Sequence, residues 1–132
     1  MTDTQIATPV RRVVDGYFAM WNEREPVRRR RIIKETWIEG GSYVEPLMAV
    51  EGHDALDAGV ASMQAQFPGH HLRPAGRMDT HHDRVRWDWE LIGPEDREPL
   101  AAGTNVAILA PDGRLGQVTG FFDHTRGMSQ DR

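Results

Sequence analysis

The sequence predicts a single α+β domain in which three N-terminal helices pack on one side of an antiparallel sheet. Apolar residues recur at three- and four-residue steps in the first half of the chain, and strand-like runs separated by turn residues fill the second. At 132 residues the chain is long enough for one hydrophobic core and too short for two ordinary domains.

The elements follow in order. Val10, Val13, Val14, Tyr17 and Trp21 share one face of a helix over Thr8 to Asn22, with Thr8 as the expected N-cap and Pro9 as its first helical residue. Pro26 opens a second, strongly basic helix whose buried side is marked by Ile33 and Trp37 and which Gly40-Gly41 is expected to end. Ser42 to Glu45 is a short strand stopped by Pro46, which has no N–H for a sheet ladder. Leu56, Val60, Met63 and Phe67 place a third helix over His53 to Phe67, closed by Pro68-Gly69. Four strands complete the pattern, roughly His70 to Thr80, Arg84 to Ile92, Leu100 to Ala110 and Arg114 to Asp123. The expected turns lie at His82-Asp83, at Gly93 to Asp96 and at Pro111-Asp112-Gly113. The core is expected over about residues 8–124, with a flexible tail over 125–132.

Composition narrows the function. With no cysteine, the chain has no disulfide framework and no thiolate nucleophile, in keeping with a reducing cytoplasm. Met1 to Ala7 lack the basic start and apolar run of a secretory signal, and no stretch is long enough to span a bilayer, so a cytoplasmic address without a membrane partner is expected. A net charge of −4 argues against binding a phosphate backbone. The run Arg28 to Arg31 does not change this, because four consecutive helical positions point in nearly all directions. No nucleic-acid partner is expected.

Tyr17, Glu45 and Asn105 are polar groups in otherwise apolar runs, and in a cone closed by helices all three can project inward. Desolvation raises a carboxyl pKa, which suits Glu45 to act as a general base near neutral pH. Tyr17 and the Asn105 amide are suited to donate to the enolate oxygen formed when a proton leaves a carbon beside a carbonyl. Around them, Trp21, Trp37, Met63, Phe67, Trp87, Trp89 and Phe122 are expected to face inward as core and lining, with His82 as a polar lining group or proton carrier. The pairs His70-His71 and His81-His82 lie near Asp79 and Asp83, but adjacent strand residues point to opposite faces, so no metal site is expected. No cofactor is required.

Val13-Val14-x-x-Tyr17, Trp37 followed by Tyr43-Val44-Glu45-Pro46, Gly52 before a helix, and Asp112-Gly113-Arg114-Leu115 through Phe121-Phe122-Asp123 together resemble the SnoaL-like branch of the NTF2-like superfamily, over about Val10 to Asp123. The resemblance implies a cystatin-like cone, with three N-terminal helices packed on a curved antiparallel sheet that encloses an apolar pocket, and a small hydrophobic ligand. It leaves activity open, since that superfamily includes ketosteroid isomerases, polyketide cyclases, epoxide hydrolases and dehydratases. Beside ketosteroid isomerase, Tyr17 falls at the oxyanion-hole tyrosine, Glu45 at the aspartate base and Asn105 at a protonated aspartic acid, so two of the three positions depart from that enzyme's pattern.

Three readings follow. The first is an isomerase or cyclase working by proton abstraction through Glu45. The second is a non-catalytic ligand-binding or assembly module that dimerises through an outer sheet face carrying Val106, Ile108, Thr119 and Phe121. The third is water activation by Arg86 and Asp88, whose spacing resembles that of limonene epoxide hydrolase. Its second acid would fall near Gly120, and strand alternation favours Trp87, Trp89 and Leu91 facing inward instead.

Overall fold

In a computed structural model, residues 6–126 are described. The expectations for Met1 to Gln5 and for the tail from residue 127 onward lie outside them.

The first helix, α1 (Thr8–Asn22), buries Val13, Val14, Tyr17, Phe18, Met20 and Trp21 along the stripe that its spacing dictates. Its N-cap is Ala7 rather than Thr8. The Ala7 carbonyl already accepts from the Val10 and Arg11 amides, both at 3.1 Å, so helical bonding starts one residue early and Thr8 becomes helical. Helix α2 (Pro26–Thr36) is capped by the Glu25 carboxylate, which accepts from the Val27 and Arg28 amides.

This second helix ends at Thr36, not at Gly40-Gly41, and Trp37 takes extended backbone as the first residue of β1 (Trp37–Glu45). The indole then turns into the core and is fully buried. Gly41 lies against it, since a Cβ there would sit 2.8 Å from the Trp37 ring. Glycine at 41 therefore makes room for an aromatic side chain instead of stopping a helix.

A short hairpin across Pro46-Leu47 leads into β2 (Met48–Glu51), pairing Ser42 with Glu51 and Glu45 with Met48. Helix α3 (His53–Gln66) buries Leu56 and Val60. Strands β3 (His71–His81), β4 (Arg84–Ile92), β5 (Ala101–Leu109) and β6 (Leu115–Thr125) complete the chain, the last running two residues past the expected end.

The six strands form one curved sheet in the order β2-β1-β6-β5-β4-β3. It is mixed rather than wholly antiparallel, because β1 and β6 run parallel. These two strands come from opposite ends of the chain, so no hairpin dictates their relative direction. Register shifts within β3, within β1 and along the β5–β6 ladder bend the sheet so that one face wraps the helices.

Strand parity decides which residues meet the helices. On β4, Val85, Trp87, Trp89 and Leu91 are buried against the helical layer. Arg86 and Asp88 point the other way, where Arg86 pairs with Asp79 at 2.6 Å and Asp88 with Arg77 at 3.2 Å. One inner-face row crosses the sheet. Asn105 pairs with both Gly120 and Trp87, Trp87 pairs with Met78, and the Val44–Thr119 pairing brings Glu45 beside Gly120. Among the described residues, no helix is long and apolar enough to cross a membrane.

Candidate functional site

At the open end of the curved face, α1, α3, β1, the start of β3 and inward-facing residues of β4, β5 and β6 line a narrow cavity that opens to solvent. Its walls come from Tyr17, Trp21 and Asn22, from Tyr43 and Glu45, from Met63, Gln64 and Phe67, and from His70, His71, Leu72, Trp89, Leu91, Ala101 and Phe122. The surface is therefore apolar and aromatic with a few polar groups, the usual make-up of a small-molecule site.

The polar end is built from three elements. The Tyr17 ring is locked by aromatic neighbours, with Trp87 at 5.0 Å, Phe18 at 5.6 Å and Tyr43 at 6.4 Å between centroids. The Asn105 amide donates to Tyr17 Oη at 2.8 Å. Burial raises the Tyr17 pKa well above the ordinary phenol value, against the opposing effects of the Tyr43 hydroxyl and the Asn105 amide. Tyr43 is raised too, first by burial and then by Tyr17 and the Glu45 charge. Both phenols thus stay protonated, with the Tyr43 hydroxyl directed at that of Tyr17.

Glu45 is 7% exposed. Burial raises its carboxyl pKa, and the Leu47 and Met48 amides pull in the opposite direction. The Leu47 contact is a 2.8 Å bond to Oε1. The result is a carboxylate whose proton affinity is increased while its position is held by backbone donors.

Of the residues singled out from the sequence, Tyr17, Glu45, Trp21, Met63, Phe67, Trp89 and Phe122 meet at this cavity. Asn105 does not reach its surface. It is 1% exposed and sits behind Tyr17, and among the described residues its Oδ1 has no hydrogen-bond partner. Trp37 and Trp87 are core residues packed against Tyr17, because their inward strand positions lie beneath the helix rather than at its open end. His82 also falls elsewhere. It is exposed in the tight turn between β3 and β4 with a φ of 52°, a conformation that such turns require, and its Nδ1 lies 3.1 Å from that of His81. The histidines at the cavity are His70 and His71, on the turn from α3 into β3. His70 Nδ1 bonds to the Pro68 carbonyl at 3.1 Å, which fixes the ring at the rim. Among the described residues, no group of three or more acids and histidines is arranged to hold a metal ion.

Other lining residues were not found from the sequence. Tyr43 had a signal, since it precedes Glu45 by two residues on a strand and must share its face. Asn22 and Gln64 had none, because their placement comes from backbone partners distant in sequence. The Asn22 amide both donates to the Leu72 carbonyl at 2.7 Å and accepts from its N–H at 2.8 Å, pinning α1 to the sheet edge. Gln64 donates to the Trp21 and Glu23 carbonyls at 3.0 and 2.9 Å.

Gly120 creates the space between the acid and the amide. A Cβ at that position would sit 2.8 Å from Asn105 Oδ1 and 3.1 Å from Glu45 Cβ. The row therefore has no room for an acid at 120, and with Arg86 and Asp88 on the outer face the set needed for epoxide hydrolysis is not assembled. Gly120→Ala is expected to displace Asn105, loosen Tyr17 and cost about 1–3 kcal/mol, the range for overpacking a filled interior. Urea denaturation measures it, and an unchanged midpoint would mean that the row has slack.

No protein-family model matches the chain, and neither does any curated protein. Solved structures do. A protein of the SnoaL-like family from Agrobacterium tumefaciens str. C58, proposed to be an isomerase, superposes with a TM-score of 0.83 at 36% identity, covering 89% of this chain and 100% of that one. The chain belongs to the SnoaL-like family. A second member, a proposed SnoaL-like polyketide cyclase from Jannaschia sp. CCS1, aligns with a TM-score of 0.66 at 21% identity, covering 90% of this chain and 91% of that one. An NTF2-like protein of unknown function from Cytophaga hutchinsonii ATCC 33406 shares the fold with a TM-score of 0.64 at 16% identity, covering 92% of this chain and 94% of that one. The SnoaL-like architecture thus carries members to which different activities are ascribed.

Proposed function

We propose that this SnoaL-like protein binds a hydrophobic, carbonyl-bearing small molecule and moves a proton on it, isomerising or cyclising the substrate without a cofactor. One observation carries this: Glu45, a carboxylate with raised proton affinity, shares an apolar cavity with the protonated phenol of Tyr17. The isomerase and cyclase assignments of the structural relatives support the same chemistry.

In the first step the Glu45 carboxylate takes a proton from the carbon next to the carbonyl. The C–H electrons move into the new C–C double bond, and the carbonyl π electrons move onto oxygen, which the Tyr17 O–H stabilises as an enolate. In an isomerisation, protonated Glu45 returns its proton to a different carbon. In a cyclisation, the enolate carbon attacks a second carbonyl of the same molecule, and the alkoxide that forms takes the proton back. Either route leaves Glu45 ionised again. Asn105 acts through Tyr17, holding its oxygen in place. The test is to incubate a panel of apolar ketones with the protein in heavy water and follow loss of α-proton signals by NMR. Accelerated exchange supports proton transfer; a panel that shows neither binding nor exchange overturns it.

A second reading concerns assembly and is compatible with the first. The outer sheet face exposes Phe121 at 55%, Val44 at 46% and Val106 at 38%. They are contiguous, since Thr119 pairs with both Val44 and Val106 while Thr104 pairs with Phe121. We propose a homodimer through this face, with Ile108 and Thr119 in the interface. Light scattering is expected to give twice the chain mass for the native protein and the monomer mass for Phe121→Lys. A monomeric native protein at micromolar concentration would sink it.

A further inference from the structure

The mouth of the cavity is bordered by two chain segments that meet face to face. One is the turn from α3 into β3, whose Phe67, His70 and His71 line the cavity. The other is the loop from the end of β4 to the start of β5, which leaves the wall near Leu91 and rejoins it at Ala101. The β3–β4 ladder ends at His71–Ile92, so His70 and Gly93 face each other at the first step beyond it. Glycines let the two segments fit together. A Cβ on Gly69 would sit 3.1 Å from Pro94 Cγ, and a Cβ on Gly93 would sit 3.1 Å from His70 Nε2 and 2.5 Å from Asp96 Oδ2. The imidazole and the carboxylate therefore share the space that a side chain at 93 would fill.

The protonation state of the ring decides what passes across that space. His70 Nδ1 lies 3.1 Å from the Pro68 carbonyl, which can only accept, so the proton of the neutral ring belongs on Nδ1 and a lone pair is left at Nε2. Two acceptors, Nε2 and the Asp96 carboxylate, then meet over Gly93 and repel. Protonation makes Nε2 a donor, and the same contact becomes imidazolium against carboxylate. A histidine side chain makes that change between about pH 5 and pH 8. Around the pair stand Arg24 of α1, which donates to the His70 carbonyl at 3.1 Å, His71 next in the chain, Arg126 just past β6 at 3.6 Å from Asp96 Oδ2, and Glu45 within the cavity. Arg126 also donates to the Glu98 carbonyl at 3.1 Å and the Pro99 carbonyl at 3.4 Å. The far end of the loop is thus anchored, and its Gly93 to Asp96 end depends on what His70 offers it.

We propose that His70 and Asp96 are a proton-operated latch on the cavity mouth: with His70 protonated the two segments are clasped and passage of the ligand slows, and with His70 neutral they part and the ligand moves freely. The latch rests on the ligand-binding part of the proposed function and does not require its proton transfer.

The test uses 4-nitrotoluene, an uncharged apolar probe whose nitro group quenches indole fluorescence, with Trp21 and Trp89 in the cavity wall as reporters. Stopped-flow mixing and dilution give its entry and exit rates at about pH 5 and about pH 8, in the Glu45→Gln protein so that the acid in the cavity does not titrate. Both rates are expected to be roughly two- to five-fold lower at the lower pH, the range for a half-exposed ion pair, with their ratio and hence Kd unchanged. Adding Asp96→Asn is expected to make the rates equal at the two pH values. His70→Asn is expected to do the same, since its amide can keep the bond to the Pro68 carbonyl while nothing remains at Nε2, and His71→Asn is expected to keep the dependence. Gly93→Ala retains both groups but puts a methyl between them and the backbone, and is expected to abolish the dependence by displacing Asp96. Rates that do not change with pH before these additions, a dependence that survives Asp96→Asn, or one that is lost in His71→Asn overturns the latch and leaves the cavity and Glu45 as they stand. A pH effect on exit alone, with Kd moving in step, belongs to the cavity lining and overturns the latch as well. A protein that never takes up the probe overturns the binding reading together with the latch.

Discussion

Glu45→Gln is expected to slow proton abstraction by roughly 10²- to 10⁴-fold, the usual contribution of a positioned general base, while changing ligand affinity only slightly. Glutamine keeps the shape of the side chain, and its carbonyl oxygen can still accept from the Leu47 amide, so the wall of the cavity survives the change. What is lost is the ability to accept a proton. For the native protein the rate is expected to rise with pH through an apparent pKa above the ordinary glutamate value of 4.5, because burial raises that of Glu45. The same shift has a consequence for stability with a definite sign. A carboxyl whose pKa is higher folded than unfolded binds protons more tightly in the folded state, so its contribution is complete below the unfolded pKa and is lost as pH rises through the folded one. Glu45→Gln does not titrate. It is therefore expected to be more stable than the native protein at about pH 8, with the difference shrinking toward about pH 4. Heavy-water exchange and urea denaturation at the two pH values measure the two effects separately. A variant with native exchange rates removes Glu45 from the chemistry, and a variant less stable at the higher pH removes the desolvation argument.

That pairing of a site residue with a stability cost explains which parts of the molecule were legible in the sequence. Helices α1 and α3 and strand β4 could be placed because each has one buried face, and burial of a face imposes a period on the sequence: Val13, Val14 and Tyr17 for the helix, Trp87, Trp89 and Leu91 for the strand. Glu45 and Tyr17 stood out for a related reason, as polar groups at positions whose period pointed inward. The misplaced features lack such a period. The start of β1 was assigned to α2 because Ile33 and Trp37 are four residues apart, the helical step, while the turn of the chain at Trp37 is imposed by the pocket that Gly41 leaves for its indole. Strand β2 has four residues and no fully buried position, too little for alternation to register. The direction of β1 relative to β6 is a matter of long-range pairing, on which local pattern is silent. Asn105 is buried and bonded to Tyr17, but whether it reaches the cavity depends on how close α1 approaches the sheet, and Tyr17 is what fills that gap. His82 was expected both in the turn with Asp83 and, as one of an adjacent histidine pair, in the lining; the structure keeps it in the turn, exposed and away from the cavity.

The four consecutive arginines show the same limit from the opposite side, and they lead to the second large effect. Their helical phase scatters them, as expected, but one lands inside. Arg29 is 5% exposed and reaches three acceptors: Asp57 at 2.6 Å, the Glu23 carbonyl at 3.0 Å and Gln64 Oε1 at 3.2 Å. Gln64 in turn holds the Trp21 and Glu23 carbonyls, so one guanidinium ties the end of α1 to α2 and α3 directly behind the cavity wall. Removing one partner of a buried ion pair costs about 3–5 kcal/mol, because the remaining charge is left in a poor solvent. Asp57 keeps some access to water at 23% exposure and has Arg30 at 3.9 Å, which places Arg29→Ala at the lower end, about 3 kcal/mol. Arg29→Lys is expected to recover only a small part of this, since an ammonium is a point charge and lacks the planar fork that serves three acceptors at once. Arg29→Ala combined with Asp57→Ala is expected to lose less than the two single losses added together, as coupled neighbours do. Urea midpoints of the four proteins measure the coupling, and binding of 4-nitrotoluene reports whether the wall moves with it. Additive losses would mean that the pair contributes little, and that the helices are held over the sheet by apolar packing alone.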